Sequence, residues 1–517
     1  MHFRHVLAFI LSLLLLAPAL RANNIQVSNA TLVNLDGANG TVDVQFTVSW
    51  ENSWRTSTGA PFNWDAAWVF VKYRDASTGL WQHCRLGTAH TAPAGTTITN
   101  GLLDPASAYN ASTNYGVGAF VHRSANGLGT FTATNVRLRW NYGQNGVLLA
   151  NMAEVRAYAI EMVLVPEGSF SVGDGGTGSG RFIAGGSTNS PFQITSDAAL
   201  GIANAAGSLW GVGVGGSNTI GPTGTLAAAY PKGFGAFYCM KHEISQQAYV
   251  DFLNTLTYTQ QAARTAVAPN SVEGTGALSS TNANRNGIDI RTPGVASTTP
   301  AVYACNLDGN TTYGEATDGL WLACNWLASS DVAAYLDWSG LRHMTELEFE
   351  KTCRGPATPV ADEFAWGNTS ITQATSLVNV GTANEVSGTA GSNATFGNQA
   401  NVSGPVRVGA FAAITGRAPS GAGYYGVMDL SSNLYESPVT VGTTAGRAFT
   451  GLHGDGLLDA AGNANVTGWP NNTGIGQRGG SWQQTAINSR VSDRGLGSNT
   501  SGTRATNRGG RGVRRAP

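Results

Sequence analysis

Apolar and polar residues alternate along the first third of the chain. The clearest run places five apolar residues at every second position: Val42, Val44, Phe46, Val48 and Trp50. Further runs cover residues 67–73 and 136–140, with turn-forming residues between them. A period of two is typical of strands that bury one face. We therefore predict an antiparallel β-sandwich over residues 23–160, in which tryptophans more often form the core than a carbohydrate-binding platform.

The first 22 residues form a separate element. An apolar run over residues 6–16 follows Arg4 and precedes three small residues, Ala17, Ala19 and Ala22. This pattern predicts a secretory signal peptide over residues 1–22, because the run is too short to remain as a membrane anchor. No later apolar run reaches membrane-spanning length. We therefore expect a mature protein that is secreted or held at the cell surface.

After residue 160 the pattern changes to short apolar pieces among glycines, with three helical stretches. Their predicted N-terminal caps are Ser245, Asp331 and Thr345. Thr345 is followed three residues later by Glu348, which is the spacing of a capping box. The fold class predicted for the whole chain is α+β, with the sandwich followed by a loop-rich domain over residues 161–517.

Charged residues are sparse and unevenly placed. They make up 12% of the chain, and the formal net charge is −1, so composition gives no case for a nucleic-acid or membrane partner. From Arg478 onward, however, there are eight arginines and one acid, Asp493. Such a segment can bind anions. Alternatively, since each arginine carries five donors, these residues tie irregular backbone together, which is the interpretation we favour.

The chain lacks the common catalytic patterns. It contains no GxSxG, HExxH or P-loop sequence, and the glycine-rich run at 211–216 has no strand before it and no helix after it. Three glutamates at alternate helix positions are predicted to point to different faces: Glu346, Glu348 and Glu350. The five cysteines predict one or two disulfides in an exported protein, and we expect Cys305 to pair with Cys324 because both flank one loop.

Six stretches, in this order, resemble the landmarks of one known family. They are MVLVPEGSFSVGD, FYCMKHEISQQAYVDFLN, DVAAYLDWSGLRHMTELEFEKTCRG, YYGVMDLSSNLYE, RGGSW and GGRGVR. The family is that of the formylglycine-generating enzymes, also called sulfatase-modifying factors. The resemblance spans about residues 162–517 and implies a large, loop-rich variant of the C-type lectin fold. The predicted sandwich lies outside it.

The resemblance also implies an activity that the residues do not support. Enzymes of this family oxidise a sulfatase cysteine to formylglycine with O₂, using copper(I) held by two cysteines just after the GGS motif. Here residues 482–489 contain no cysteine, and the last cysteine is Cys353. Amides and hydroxyls are poor ligands for this soft metal, so we expect no copper. The histidine-rich iron site of another branch is not expected either, because no two histidines after the predicted signal peptide have helical ligand spacing.

Calcium is the cofactor that the resemblance predicts. The ligands of one family site align with Asp429, the carbonyls of Ser432 and Leu434, and Glu436. A second site would use Asn379 and the carbonyl of Val380. Carboxylate and carbonyl oxygens are the ligands that Ca²⁺ takes, but the acids could also be a pair that only caps turns. The family has glycine where Ser432 stands, so a positive φ there would cost stability.

A third acidic stretch, NLDGNTTYGEATDG, loosely resembles an EF-type loop. It offers four oxygen-bearing side chains next to the predicted Cys305–Cys324 bridge: Asp308, Asn310, Glu315 and Asp318. A solvated turn is the competing interpretation.

Together these features favour an exported, non-catalytic protein that acts in recognition outside the cell, with a protein or glycan ligand or by self-association. The C-terminal domain resembles that of variable proteins whose altered residues lie between a GGSW-like and a terminal GxRGxR-like motif. The predicted ligand-binding residues are Trp482, Gln483, Gln484, Thr485, Asn488, Ser489, Arg490, Asp493, Arg494, Asn499, Arg504 and Asn507. Two alternatives stay open: a subunit of an extracellular layer or filament, and a copper- and O₂-dependent oxidase.

Overall fold

The computed structural model describes residues 24–212, 220–412, 416–499 and 501–517. The predicted signal peptide and most of the glycine-rich run at 211–216 lie outside these ranges. The strands, in chain order, are β1 (Gln26–Asp36), β2 (Thr41–Arg55), β3 (Asp65–Asp75), β4 (Trp81–His83), β5 (Thr96–Leu102), β6 (Gly116–Arg123), β7 (Gly127–Trp140), β8 (Met152–Val165), β9 (Phe170–Val172), β10 (Phe182–Ala184), β11 (Phe192–Ile194), β12 (Leu200–Ile202), β13 (Leu209–Gly211), β14 (Gly224–Leu226), β15 (Phe237–Met240), β16 (Ile288–Thr292), β17 (Val302–Cys305), β18 (Arg342–His343), β19 (Leu377–Val378), β20 (Val386–Ser387) and β21 (Gly512–Arg515).

The α-helices are few and short. They are α1 (Gln246–Leu253), α2 (Tyr258–Arg264), α3 (Ser329–Trp338), α4 (Glu346–Arg354) and α5 (Thr444–Arg447). Single 3₁₀ turns cover Tyr142–Asn145, Leu149–Asn151, Ala283–Arg285, Asn472–Gly474 and Ala486–Ser489. None of the helices in the described ranges has the length and apolar character needed to cross a bilayer.

The N-terminal part is the predicted β-sandwich. One layer is the three-stranded sheet β1-β2-β7, and the other contains β8, β3, β6 and β5 in adjacent positions. All neighbouring strands in both layers run antiparallel. The alternation in the sequence is confirmed, because the apolar residues of β2 and β7, such as Val44 and Leu138, are fully buried between the layers.

The second layer of the sandwich continues into the C-terminal domain. The eight-stranded sheet has the order β18-β21-β15-β8-β3-β6-β5, with β4 paired to β3. Strand β8 pairs with β3 along most of its length and with β15 over its last four residues. The predicted boundary between residues 160 and 161 therefore falls inside a strand, and the two regions share one sheet.

This shared sheet is buried on both faces. Val69 of β3 faces the sandwich core, whereas its neighbour Trp68 belongs to the core on the other face, which also contains residues of α1 and α3. The Trp68 indole Nε1 donates to the Ser339 carbonyl at 2.8 Å. Gly101 and Gly118 make room for the ring, since a Cβ at either position would lie 2.3–2.4 Å from it. The sheet is thus the middle layer of three.

Two of the predicted helix caps are confirmed, and one is corrected. Ser245 caps α1, and Thr345 forms a reciprocal capping box with Glu348 at the start of α4. Asp331 is not the N-cap of α3, because the helix begins earlier, at Ser329. Asp331 is its third residue, and its carboxylate accepts the Ala328 N–H at 2.9 Å. The acid therefore still caps the helix, but from inside the first turn.

Candidate functional site

The GGSW motif begins the C-terminal segment and belongs to the framework. Gly479 and Gly480 have φ values of 87° and 74°, and a Cβ on Gly480 would lie 2.4 Å from the Ser489 hydroxyl, so glycine is required there. Trp482 is 1% exposed, so it belongs to the framework and not to the ligand-binding surface for which it was predicted. Its indole Nε1 donates to the Thr506 carbonyl at 3.1 Å. This tryptophan ties the start of the segment to its end.

The next residues form the accessible part of the segment. Thr485 is exposed, and Gln483, Gln484 and Asn488 are half-buried. Ile487, which was not predicted as a site residue, is 55% exposed. A shallow cavity of 360 Å³ adjoins this turn and is lined by Ala361, Asp362, Phe364, Thr369, Ile371, Ala486, Ile487 and Arg490. We call the exposed and half-buried residues from 483 to 490 the Gln483–Arg490 surface.

Several predicted surface residues lie in the interior instead. Trp482, Ser489, Asp493 and Arg494 are all buried, so a ligand on the surface cannot reach them directly. They were predicted from their place between two motifs, and that spacing does not tell inward from outward positions in irregular backbone.

The remaining three predicted residues, Asn499, Arg504 and Asn507, are half-buried. Arg504 is engaged by the buried carboxylate of Asp331, with 2.9 Å between Arg504 Nε and Asp331 Oδ2. The backbone carbonyl of Asn507 accepts the Tyr435 N–H at 3.0 Å. These contacts give Arg504 and Asn507 structural roles.

Buried ion pairs anchor the segment to helix α4. Arg494 Nε lies 2.8 Å from Glu346 Oε1, and Arg478 Nη2 lies 2.7 Å from Glu350 Oε1. Arg478 also donates to the carbonyls of Val491 and Asp493 at 2.6 and 3.1 Å. Burial alone would raise the pKa of Glu346, but Arg494 and Arg478 hold it below its usual value. The C-terminal arginines thus tie irregular backbone together, which is the interpretation the sequence favoured.

Two of the three glutamates of α4 share one helix face, although the sequence pattern predicted different faces. Glu346 and Glu350 are four residues apart, so they share a helix face and both contact Arg478. Glu348 lies on another side and pairs with Arg342 at 2.6 Å. All three are buried. The spacing of two between neighbouring glutamates predicted different faces, whereas the spacing of four between Glu346 and Glu350 predicts a shared face.

The DLSSNLYE turn has the strained backbone that a serine at the family's glycine position implied. Asp429, Ser432 and Asn433 have φ values of 58°, 93° and 65°. Ser432 is held in place from both sides: its N–H donates to the Gly479 carbonyl at 2.6 Å, and its hydroxyl accepts the Thr395 N–H at 2.9 Å. Such a conformation costs about 1–3 kcal/mol per non-glycine residue, which these contacts partly offset.

Two buried carboxylates stand at the ends of this turn. Asp429 Oδ2 accepts the Gly409 N–H at 2.7 Å. Glu436 Oε1 accepts from the Arg511 guanidinium, which also donates to the Met428 carbonyl at 2.8 Å. Glu436 Oε2 is buried without a hydrogen-bond partner, and burial raises the pKa of this residue. Arg511 already supplies one positive charge, so the unpartnered oxygen is the feature that fits an added cation. Calcium here stays a prediction.

The second predicted calcium set lies in a different turn. Asn379 and Val380 are exposed and precede Gly381. Glu385 is the acid of this turn, but it accepts the Gly381 N–H at 2.8 Å and pairs with Arg285. Among the residues described, these contacts bring no unpaired carboxylate to Asn379, and this set also stays a prediction.

One protein-family model matches most of the chain. The model of the sulfatase-modifying factor enzyme 1-like domain matches residues 150–516. The chain belongs to the sulfatase-modifying factor family. The match includes the whole of β8 and supports the predicted α+β, lectin-like fold. Among solved structures, the chain is similar to variable protein 1 of Treponema denticola, at 15% identity over 69% of this chain and 96% of that one, but a TM-score of 0.27 carries no functional argument. No curated protein gave a match.

This sulfatase-modifying factor domain offers no accessible thiol. All five cysteines of the chain are buried and unbonded, so the predicted Cys305–Cys324 disulfide is wrong. Both lie in the apolar core beside α1 and α3, where packing rather than a covalent bond holds them. Burial raises the pKa of Cys324 well above its usual value, and nearby Cys305 adds to the shift. Burial raises the pKa of Cys239 to about 12. Such thiols are poorly suited to act as thiolates at neutral pH.

Proposed function

We propose that this protein is an exported, non-catalytic member of the sulfatase-modifying factor family that binds a protein or glycan through the Gln483–Arg490 surface. The observation that carries the proposal is that a rigid, buried framework supports a polar, accessible turn at the position where enzymes of the family hold copper.

The chemistry of this turn supports binding over oxidation. Gln483, Gln484, Thr485 and Asn488 carry amides and a hydroxyl, which donate and accept hydrogen bonds but do not hold copper(I). All five cysteines of the chain are buried at other positions, so none replaces the copper-binding pair of the family. The residues at this position therefore suit recognition of polar groups.

The shape of the surface supports a ligand with both apolar and polar groups. The 360 Å³ cavity has Phe364 and Ile371 among its lining residues, with Ile487 exposed beside them. At its edge Arg490 pairs with Asp362 at 3.0 Å, and both side chains keep about a quarter of their exposure, 22% and 24%. Apolar contacts rimmed by polar groups are common at binding sites. A sugar ring or a short peptide would match this pattern.

The N-terminal sequence supports a location outside the cell. Residues 1–22 have the composition of a signal peptide, which would direct export. Calcium bound at the DLSSNLYE turn would be a structural cofactor of the exported domain.

A binding screen tests the proposal. The mature protein is applied to glycan and extracellular-peptide arrays, together with a Gln484→Ala/Asn488→Ala variant. The matched control is Asn39→Ala/Gln144→Ala, which removes two exposed amides from the sandwich. We expect the surface variant to lose at least tenfold in affinity for the ligand found, because its hydrogen-bonding groups are removed, and the control to bind like the wild type.

Three results would contradict the proposal. Equal loss in both variants would place the binding elsewhere. Conversion of a cysteine-containing sulfatase peptide to formylglycine, with copper(I) and O₂ supplied, would make the protein an enzyme. Regular filaments in negative-stain images, with no ligand bound, would instead favour the structural alternative.

A further inference from the structure

We propose a calcium site in the loop between β17 and α3, formed by Asp308, Glu315 and Asp318. One carboxylate oxygen from each residue lies within 4.8 Å of the other two. Within the described ranges no lysine, arginine or histidine forms an ion pair with any of them. Three like charges this close repel one another unless a cation or protons lie among them.

Unsatisfied buried oxygens point to a cation independently of the charge count. Asp318 is fully buried, and its Oδ2 accepts the Glu315 N–H at 2.7 Å, but no donor reaches its Oδ1. Next to it, Asp289 and Asn306 are also buried, and the Oδ1 atom of each lacks a donor. Their only mutual contact is the Asn306 Nδ2–Asp289 Oδ2 hydrogen bond at 3.3 Å. Buried acceptors without donors are rare in proteins, and a cation bound among the three carboxylates would satisfy Asp318 Oδ1.

The ligand chemistry selects calcium. Every candidate ligand is oxygen, with no thiol or imidazole in the group, which favours a hard cation. Asn310 already bridges two of the acids, with its amide nitrogen 3.0 Å from Asp308 Oδ2 and 2.8 Å from Glu315 Oε2, so the loop accommodates partial positive charge between them. Calcium accepts irregular oxygen shells of this kind, whereas magnesium requires near-octahedral geometry.

The site would fasten the loop to its surroundings. The Leu307 N–H donates to the Asp318 carbonyl at 3.3 Å, which closes the loop on itself. The Gly319 N–H donates to the Gly381 carbonyl at 2.9 Å, which joins the loop to the turn that carries Asn379. Calcium would therefore connect the β16–β17 hairpin to that turn.

Calcium titration by calorimetry tests the site on the full mature chain after EDTA treatment. The variants are Asp308→Asn/Asp318→Asn and, as a matched control, Asp104→Asn/Asp459→Asn in two partly exposed turns. We expect the loop variant to bind one Ca²⁺ fewer per chain than the wild type and the control to bind as many. Glu436→Gln should keep this ion, which separates the site from the DLSSNLYE prediction.

Thermal unfolding distinguishes a cation site from a merely structural turn. In EDTA the loop variant should melt at or above the wild-type temperature, because repulsion is removed, and Ca²⁺ should raise the Tm of the wild type more than that of the loop variant. If the loop variant does not fold, Glu315→Gln, on a side chain that is not buried, should weaken calcium binding at least tenfold. Wild-type protein that binds no Ca²⁺ at millimolar concentration, or unchanged stoichiometry in the loop variant together with a lower Tm in EDTA, would overturn the proposal.

Discussion

At the scale of single residues, buried arginines donate the hydrogen bonds to backbone carbonyls that backbone N–H groups donate in strands and helices. The C-terminal segment has little regular structure, so its carbonyls need donors from side chains. Arg478 donates to the Val491 carbonyl while pairing with Glu346 and Glu350, and Arg511 donates to the Met428 carbonyl at the start of the DLSSNLYE turn. Arg494 pairs with Glu346 and joins the segment to an earlier loop through the Gly180 carbonyl. Charge-assisted hydrogen bonds of this kind hold the backbone beneath the Gln483–Arg490 surface.

Replacing Arg494 by methionine should destabilise the protein strongly. The change leaves Glu346 buried with one partner fewer, and breaking a buried pair costs about 3–5 kcal/mol. Arg490→Met, at a partly exposed pair, should cost about 0–1 kcal/mol. Urea denaturation of both variants measures the difference. Because the pKa of Glu346 is lowered on folding, the wild-type advantage should be present above the pKa of an unfolded glutamate and be lost in acid. Similar losses for the two variants would contradict this view of the network.

Asp337 should make stability depend on pH in the opposite sense. Burial raises its pKa to about 7, although the N–H groups of Asp455 and Asn465 donate to it at 3.1 and 3.0 Å. A raised folded-state pKa contributes stability that is complete below about pH 4 and is lost as pH rises through 7. In urea denaturation from pH 4 to 7, Asp337→Asn should flatten this decline. Asp104→Asn, on a partly exposed acid, should leave the slope unchanged, and an unchanged slope in Asp337→Asn would contradict the assignment.

At the scale of elements, the short capped helix α4 places charged side chains in the core. Helix α4 begins with the Thr345–Glu348 capping box and directs Glu346 and Glu350 toward the C-terminal segment. The DLSSNLYE turn has no such regular support, and three of its residues have positive φ. A bound ion would offset strain of this kind, so we expect calcium to stabilise this turn.

Calcium should stabilise the DLSSNLYE turn through Glu436. A ligand at one hundred times its Kd adds about 2.7 kcal/mol to the free energy of unfolding, and this gain should be reduced in Glu436→Gln. Urea denaturation with and without Ca²⁺ measures the gain. The Asp308→Asn/Asp318→Asn variant serves as the control, since it should retain the part of the gain that Glu436 provides. The same calcium-dependent gain in Glu436→Gln and in the wild type would contradict the prediction.

At the scale of the whole molecule, one sheet joins the two predicted domains. Strand β8 pairs with the sandwich on one side and with β15 on the other, and the Trp68 indole of β3 donates to the Ser339 carbonyl directly after α3. A core shared in this way leaves no linker about which the two parts could unfold separately.

Trp68→Ala should destabilise both regions together. Removing a fully buried tryptophan costs about 3–5 kcal/mol, and calorimetry should show one unfolding transition shifted as a unit. Trp81→Ala, at a half-buried position, should have a smaller effect. Two separate transitions, of which only the earlier one moved, would contradict a shared core.

Much of the local structure could be predicted. The alternation around Val44 and Trp50 and the caps at Ser245 and Thr345 depend on neighbours in the chain, and each is present. The disulfide and several surface residues were not predicted correctly. In irregular backbone neither spacing nor motif position indicates which way a side chain points.

The sequence by itself determined the strand pattern of the sandwich, the family and the absence of thiols after the GGS motif, because these properties are local or compositional. Only the tertiary structure decided that Glu346 meets Arg478 from 132 residues away, that β8 belongs to both parts of the sheet, and that Asp308, Glu315 and Asp318 converge. Such features depend on contacts between distant segments, which the local period of apolar residues does not encode.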